Sequence, residues 1–293
     1  MSLDAPERPD GVPARPAQDE RPWSVWWALV IAIGALLTST MVFFVARAIH
    51  DAVVTLPDHL DGAFGVALHG TPPAVTLAAT LTQDLTWIAG SVLVAGWALK
   101  GNVSAATFGL RPTRLASAAG YVVLAYVTFI LLAALWTALL GLQERQNIAV
   151  QLGTRDSLFA LIAGGFLTCV AAPIAEETFF RGFIFGGLRK HGLWVATLVS
   201  GALFGGAHVL SSPIAFIVPL ALLGVILALL YERTGSLYPS IALHALNNSI
   251  AYGVGDGRPW AIPVCLAGSA LIIYGLSRLA RGPEPWRTAV SVP

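Results

Sequence analysis

Residues 172–186 read Ala-Pro-Ile-Ala-Glu-Glu-Thr-Phe-Phe-Arg-Gly-Phe-Ile-Phe-Gly. Two adjacent acids, Glu176 and Glu177, therefore interrupt an otherwise apolar stretch, and Arg181 follows the second acid by four positions. An ionisable group inside a membrane is costly, so its presence in such a segment indicates a functional site. The stretch predicts a membrane-embedded helix that carries chemistry.

The composition of the chain indicates a membrane protein. Of its 293 residues, 56% are hydrophobic and 11% are charged, whereas a soluble domain carries roughly 25% charged residues. The formal net charge of +1 gives no sign of a nucleic-acid partner. Cys169 and Cys265 match no metal or redox spacing, and we expect both to be inert thiols.

The distribution of apolar residues predicts an all-α polytopic membrane protein with about eight transmembrane helices around a central cavity. A helix needs about 20 apolar residues to cross a bilayer. The predicted spans are residues 23–46, 74–99, 115–142, 157–186, 193–211, 213–231, 237–254 and 260–279. Residues 23–280 form the predicted membrane domain, with polar cytoplasmic tails at residues 1–22, expected to be disordered, and 281–293.

The basic residues predict the orientation of these spans. With the N-terminus in the cytoplasm, 13 of the 17 Lys and Arg residues fall in inner segments and four fall in outer loops. Omitting Arg181, which lies within a span, leaves 12 against four. The positive-inside rule therefore favours a multi-pass protein of the cell membrane with both termini in the cytoplasm.

Polar residues within the spans are candidates for function. Helical geometry places residues i and i+4 on one face, so Glu177 and Arg181 are predicted to form a structural ion pair. Glu176 has Phe180 at i+4 and no cationic partner, which makes it the better candidate for a general base. Later spans add His208, then His244 and Asn248, which share a face and are expected to line one cavity.

Three further expectations concern the surroundings of these residues. At 1.5 Å per residue, Glu176 and His208 lie at similar depths of about 20 and 22 Å, and His244 lies nearer the cytoplasm at about 10 Å. Gly201 and Gly205 form a pair of small residues that allows another helix to approach closely. Gln83 and Asp84 are expected to line the cavity or bond another helix, and His50, His59 and His69 are expected to lie in an outer loop.

The motifs in residues 157–254 resemble those of the CPBP intramembrane proteases. These motifs are Glu176-Glu177-x-x-x-Arg181, Phe204-x-x-x-His208 and His244-x-x-x-Asn248, and they occur in this order within predicted spans. The family includes type II CAAX prenyl endopeptidases and bacterial Abi or bacteriocin-processing proteins. Residues 108–112, Phe-Gly-Leu-Arg-Pro, also resemble a segment found upstream in that family.

The resemblance implies an intramembrane endopeptidase that hydrolyses a membrane-embedded or lipidated protein substrate in the lipid bilayer. It implies that Glu176 and His208 activate water, that His244 and Asn248 stabilise the oxyanion, and that Glu177 and Arg181 support the site. Whether the substrates are prenylated stays open. Two other functions also stay open, a proton-coupled transporter and a catalytically silent membrane partner or immunity protein.

The residues leave the metal requirement open. A zinc ion held by Glu176, His208 and His244 is one alternative, because histidine and carboxylate are ordinary zinc ligands. The His-Glu-x-x-His signature of many metalloproteases is absent from the sequence. We therefore favour a glutamate-type hydrolase that requires no cofactor.

Overall fold

The chain folds into a bundle of helices, in a computed structural model that describes residues 21–55, 72–141, 152, 154, 157–255 and 257–279. Eight helices account for most of these residues: α1 (Trp26–Thr55), α2 (Pro73–Ala98), α3 (Leu115–Leu140), α4 (Leu158–His191), α5 (Leu193–Ala207), α6 (Ile217–Thr234), α7 (Leu237–Gly255) and α8 (Ala261–Leu279). No β-strand occurs in the described ranges. The prediction of an all-α polytopic membrane protein is therefore confirmed.

Each of the eight predicted spans corresponds to a helix, but the helices differ in how well they suit a membrane crossing. Six of those described are long and apolar enough to span a bilayer, namely α1, α2, α3, α4, α6 with the turn before it, and α8. Helix α5 has 15 residues and is shorter. Helix α7 has 19 residues but is not among the six, and it carries His244 and two asparagines. The structure thus supports at least six crossings by length and composition.

Helix α4 forms the centre of the bundle, and α3 lies at its outside. In the most apolar window of α4, 56% of the residues are buried within the protein, compared with 6% in α3. Helix α4 contacts α2, α5 and α7, while α1 packs against α2 and α8 packs against α7. The apolar surface of α3 is therefore the surface expected to face lipid, and the two acids of α4 lie in the interior.

Helix α4 is not a regular α-helix, because it contains two π-helical segments, Leu167–Ala171 and Glu177–Phe185. Proline lacks a backbone N–H, so Pro173 donates no bond to the carbonyl groups four and five residues before it. Those are the carbonyls of Cys169 and Thr168, and they accept hydrogen bonds from Ser269 Oγ at 2.8 Å and Asn248 Nδ2 at 2.9 Å. Because lipid offers no hydrogen bonds, such side chains from α7 and α8 make the irregular backbone tolerable.

Side chains from other parts of the chain also donate hydrogen bonds to backbone carbonyls of the second π-helical segment. Ser200 Oγ donates to the Phe180 carbonyl at 2.9 Å, and Trp23 Nε1 donates to the Phe183 carbonyl at 3.2 Å. Arg21 donates to the Gly182 carbonyl. Residues 21 and 23, immediately before α1, are thereby bonded to the helix that carries the two acids.

The loop between α2 and α3 also docks onto the bundle, at the segment that resembles an upstream family motif. Gly109 has a φ of +92°, and a Cβ atom there would lie 2.4 Å from the hydroxyl oxygen of Tyr231, so only glycine fits both the backbone and the space. Its carbonyl accepts a hydrogen bond from Leu237 N at 2.8 Å. The carbonyl of Arg111 accepts a second hydrogen bond, from Ser236 Oγ at 2.6 Å. The loop thus fixes the start of α7.

Helix α1 continues into the region that the sequence predicts to be the first outer loop. Helix α1 extends to Thr55, so the placement of His50 in a loop is wrong. Arg47 and Asp51 form an i, i+4 ion pair at 2.8 Å, which explains how charged residues continue the helix beyond the apolar stretch. His59 and His69 lie outside the described residues, as do residues 1–20 and 281–293 of the predicted tails.

Candidate active site

Glu176 lies on α4 where a short α-helical turn, Ala172–Glu176, meets the second π-helical segment. Its Oε2 atom is 4.0 Å from Nε2 of His208 and 3.7 Å from Nε2 of His244. Both separations exceed a hydrogen bond, and within the described residues Oε2 has no hydrogen-bond partner. Three groups that can exchange protons therefore face one another without a direct bond.

The other ring nitrogen of each histidine has a defined partner. Nδ1 of His208 lies 2.8 Å from the Phe204 carbonyl oxygen, and Nδ1 of His244 lies 3.0 Å from Oε1 of Glu177. A carbonyl oxygen only accepts hydrogen bonds, so Nδ1 of His208 must be the donor. When Nδ1 of His244 likewise donates to Oε1 of Glu177, each neutral ring carries its hydrogen on Nδ1. Each ring then directs an unprotonated Nε2 toward Glu176.

Glu177 and Arg181 form the predicted ion pair, and the pair is fully buried. Arg181 Nη1 lies 2.9 Å from Oε1 of Glu177, and neither side chain has exposed surface. Arg181 also donates to the Gly224 carbonyl at 3.0 Å and lies over the Phe204 ring, 4.5 Å from its centroid. One carboxyl oxygen of Glu177 thus contacts both Arg181 and His244, which links the ion pair to the catalytic candidates.

A cavity of about 410 Å³ opens beside Glu176. It is lined by residues of α1, α2, α4, α5, α6 and α7 and by the loop after α5, including Glu176, His208, Asn247 and Asn248. Gln83 and Asp84 of α2 also line the cavity, which is one of the two roles that the sequence predicts for them. Polar groups that would be costly in lipid are thereby collected around one internal space.

His244 differs from its predicted position in two respects. Its side chain is 3% exposed and is not among the residues that line the cavity, whereas Asn248 is. It is also as close to Glu176 as His208 is, so the estimate that placed it nearer the cytoplasm than Glu176 is wrong. That estimate treated each helix as starting at the membrane surface, and the packing of α7 against α4 does not follow this assumption.

The contacts of His244 and Asn248 with α4 were not predicted. His244 contacts Glu177 across 67 positions of sequence, and Asn248 bonds Thr168 across 80. The one local signal was Pro173, which leaves carbonyl groups without an N–H partner and so calls for donors from other helices.

The side chains that the sequence offers as zinc ligands, Glu176, His208 and His244, can be tested for their fit to an ion. Zinc binds nitrogen and oxygen at about 2.0–2.2 Å, so tetrahedral donor atoms lie about 3.4 Å apart. The separations of 3.7 and 4.0 Å are longer. Within the part of the chain that the structure describes, no group of three or more His, Cys, Asp or Glu side chains is arranged to hold a metal ion. As they lie, these residues do not close around zinc.

Comparison with known proteins agrees with the motifs. Residues 158–250 match a family model described as Type II CAAX prenyl endopeptidase Rce1-like. These 93 of the 293 residues include each of the three motifs quoted above. No curated protein and no solved structure matches the chain at a significant level. The predicted resemblance is confirmed over this region: residues 158–250 of this polytopic membrane protein are similar to the Rce1-like endopeptidase family.

Proposed function

We propose that this protein is an intramembrane endopeptidase that hydrolyses a peptide bond of a membrane-associated or lipidated protein. The observation that carries the proposal is the convergence of His208 and His244 on Oε2 of Glu176, at 4.0 and 3.7 Å, beside a cavity enclosed by apolar helices. The Rce1-like match supports the reaction class, because the family is described as an endopeptidase. The position of the chemistry inside a polytopic bundle supports a substrate held in the membrane.

Water activation is assigned to Glu176 and His208. A single water oxygen can lie about 2.8 Å from each of two atoms that are 4.0 Å apart, so one water fits between Oε2 and Nε2. Glu176 accepts the proton of this water as its oxygen attacks the carbonyl carbon. His208 accepts a hydrogen bond from the same water through Nε2, because Nδ1 is held by the Phe204 carbonyl. The two groups thus orient the water and remove its proton.

Stabilisation of the oxyanion is assigned to Asn248. Its side chain lines the cavity, and its NH₂ group donates one hydrogen bond to the Thr168 carbonyl. An amide NH₂ carries two donors, so the second hydrogen is available for a carbonyl oxygen in the cavity. The bond to Thr168 holds the amide in place before substrate arrives, which is the condition under which an oxyanion donor is most effective.

His244 is assigned to the positioning of Glu176. Its ring lies between the two acids, with Nδ1 on Glu177 and Nε2 facing Glu176. Arg181 holds Glu177 from the other side. This chain of contacts connects a buried ion pair to the base, so Glu177 and Arg181 act on the reaction through His244 rather than by contact with substrate.

The test is hydrolysis by the purified protein in proteoliposomes. The probe is a farnesylated peptide ending in a Cys-aliphatic-aliphatic-X sequence, with a fluorophore and a quencher on opposite sides of the scissile bond, and its unprenylated form is assayed in parallel. Wild-type protein is expected to release fluorescence, and Glu176→Gln, which keeps the shape of the side chain, is expected to abolish it while melting at the wild-type temperature.

The controls distinguish the proposal from the other functions. Full activity of Glu176→Gln would remove Glu176 from the mechanism. A proton-coupled flux of solute without cleavage would indicate a transporter, and neither activity in folded protein would indicate a silent membrane partner. Cleavage of the unprenylated peptide at the same rate would show that the prenyl group is not recognised. Metal analysis and assay with a chelator on the same preparation test whether hydrolysis needs zinc, and we expect activity to persist.

A further inference from the structure

A second acid lies in the wall of the same cavity. Asp84 of α2 is 3% exposed and lines the cavity together with Glu176. Among the residues that the structure describes, its Oδ2 atom has no hydrogen-bond partner. A buried carboxyl oxygen without a partner is unusual in any protein and costly in a membrane, so it calls for a functional explanation.

The two acids of the cavity have different surroundings, which suit them to different steps of the reaction. Glu176 has two imidazole Nε2 atoms within 4.0 Å, whereas Asp84 forms no ion pair within the described residues. The histidines place Glu176 beside the water that it activates in the proposed function. Asp84 is a separate acid of the same cavity, and its unbonded oxygen is available for a second proton transfer.

We propose that Asp84 is the general acid of the reaction, a role that rests on the proposed endopeptidase function. Glu176 takes a proton from water, the water oxygen bonds to the carbonyl carbon, and the C=O electron pair moves to oxygen. When this intermediate collapses, the C–N bond breaks and the nitrogen takes the proton of Asp84, leaving as a neutral amine. The proton on Glu176 then returns to Asp84 through cavity water. One water is consumed, and a carboxylic acid and an amine are formed.

The proposal predicts a dependence on the leaving group. The probe is the farnesylated quenched peptide in two forms, one with an amide and one with an aryl ester at the scissile position. An amine must be protonated to leave, whereas a phenolate leaves without a proton. Asp84→Asn, which keeps the shape and polarity of the side chain, is expected to lower kcat on the amide by about 10²-fold or more, the usual contribution of a general acid. Its kcat on the aryl ester is expected to stay near the wild-type value.

Two further variants serve as controls. Ser91→Ala removes another buried polar group of α2 whose oxygen has no partner within the described residues, but Ser91 does not line the cavity. It is expected to leave the ratio of amide to ester rates unchanged. Glu176→Gln is expected to lower both rates, because both substrates need an activated water.

The outcomes separate this proposal from the one on which it rests. Suppose that wild-type protein cleaves both probes. If Asp84→Asn then loses activity equally on both probes, or keeps full activity on both, the general-acid role is overturned and the endopeptidase function stands. If wild-type protein cleaves neither probe, the endopeptidase function is overturned together with the acid role. The ester rate of Asp84→Asn reports directly that its active site is folded, so a misfolded variant is not mistaken for a missing acid.

Discussion

Arg181 has no exposed surface, and its guanidinium is held by Glu177, by the Gly224 carbonyl and by the ring of Phe204. Removal of one partner from a buried ion pair leaves the other charge uncompensated and costs about 3–5 kcal/mol. Arg181→Ala is therefore expected to lower the melting temperature in detergent and to reduce activity, because Glu177 also positions His244. Differential scanning fluorimetry on the purified variant measures the first effect, and the peptide assay measures the second.

A more exposed pair provides the control for Arg181→Ala. Arg189 lies 3.2 Å from Glu232, with part of both side chains accessible, and such pairs contribute about 0–1 kcal/mol. Arg189→Ala is expected to melt close to wild type. If Arg181→Ala melts as Arg189→Ala does, the buried pair does not stabilise the fold and the structural role of Arg181 is wrong.

Asn248 gives a second prediction at the scale of one residue. If it donates to the oxyanion, Asn248→Ala lowers kcat by about 10²–10³-fold, the usual loss for one such donor. KM should change little, because the bond strengthens only as charge develops. Loss of the bond to Thr168 should lower stability by about 1 kcal/mol. Steady-state kinetics and thermal melting of one preparation measure both.

Ser269→Ala is the matched control, since Ser269 donates to the neighbouring carbonyl of Cys169 but does not line the cavity. It should lose a similar amount of stability and keep its kcat. An Asn248→Ala variant with raised KM and unchanged kcat would contradict the oxyanion role and leave Asn248 as a substrate-binding residue.

What the sequence predicts at this scale depends on the distance between partners along the chain. The Glu177–Arg181 pair follows from the spacing of one helix, and it is confirmed at 2.9 Å. The contact of His244 with the same glutamate spans 67 positions and depends on how α7 packs against α4. No spacing within either helix contains that information, so the link from the ion pair to the base could be found only in three dimensions.

At the scale of elements, the apolar segments predict the helices well because a membrane requires long apolar runs. The predicted span 74–99 is observed as Pro73–Ala98, and 260–279 as Ala261–Leu279. The π-helical turns of α4 were not predicted, since a shift in backbone hydrogen bonding leaves little trace in the pattern of apolar residues. Their place at the two acids agrees with the frequent occurrence of such turns at functional sites.

The contact between α5 and α6 gives a prediction at this scale. A Cβ atom on Gly205 would lie 2.8 Å from the backbone nitrogen of Ala221 and from the carbonyl oxygen of Ile217. Backbone atoms move only if the helices separate, and overpacking of this kind costs about 1–3 kcal/mol. Gly205→Ala is therefore expected to lower the melting temperature and to weaken activity, because α5 carries His208 at its end.

Gly206→Ala is the control on the neighbouring position, where a Cβ atom would meet nothing within 4 Å. Alanine is favoured over glycine within a helix by about 0.5–1 kcal/mol, so this variant should be as stable as wild type or slightly more stable. Equal melting of the two variants would show that the close approach predicted from Gly201 and Gly205 does not limit the packing.

At the scale of the whole molecule, the bundle buries Asp84, Glu176, Glu177 and Arg181 and presents many large apolar side chains at its surface. The cavity is lined by residues from six of the described helices and from the loop after α5, so the site exists only when the bundle is assembled. The proposed catalytic groups from α4, α7 and the end of α5 meet although Glu176 and His244 are 68 positions apart in sequence. This dependence explains why substitutions in packing residues such as Gly205 are expected to affect activity as well as stability.

The number of membrane crossings gives the last prediction. Six helices are long and apolar enough to cross, and crossings by both α5 and α7 would raise the number to eight. Both totals are even, so we propose that the two ends of the chain lie on the same side of the membrane. The positive-inside rule favours the cytoplasmic side, because most Lys and Arg residues then fall in cytoplasmic segments. Epitope tags before Met1 and after Pro293 should both be labelled in inverted membrane vesicles and neither in intact spheroplasts. Labelling of one tag in each preparation would mean that just one of α5 and α7 crosses, and labelling of both tags in spheroplasts would reverse the orientation.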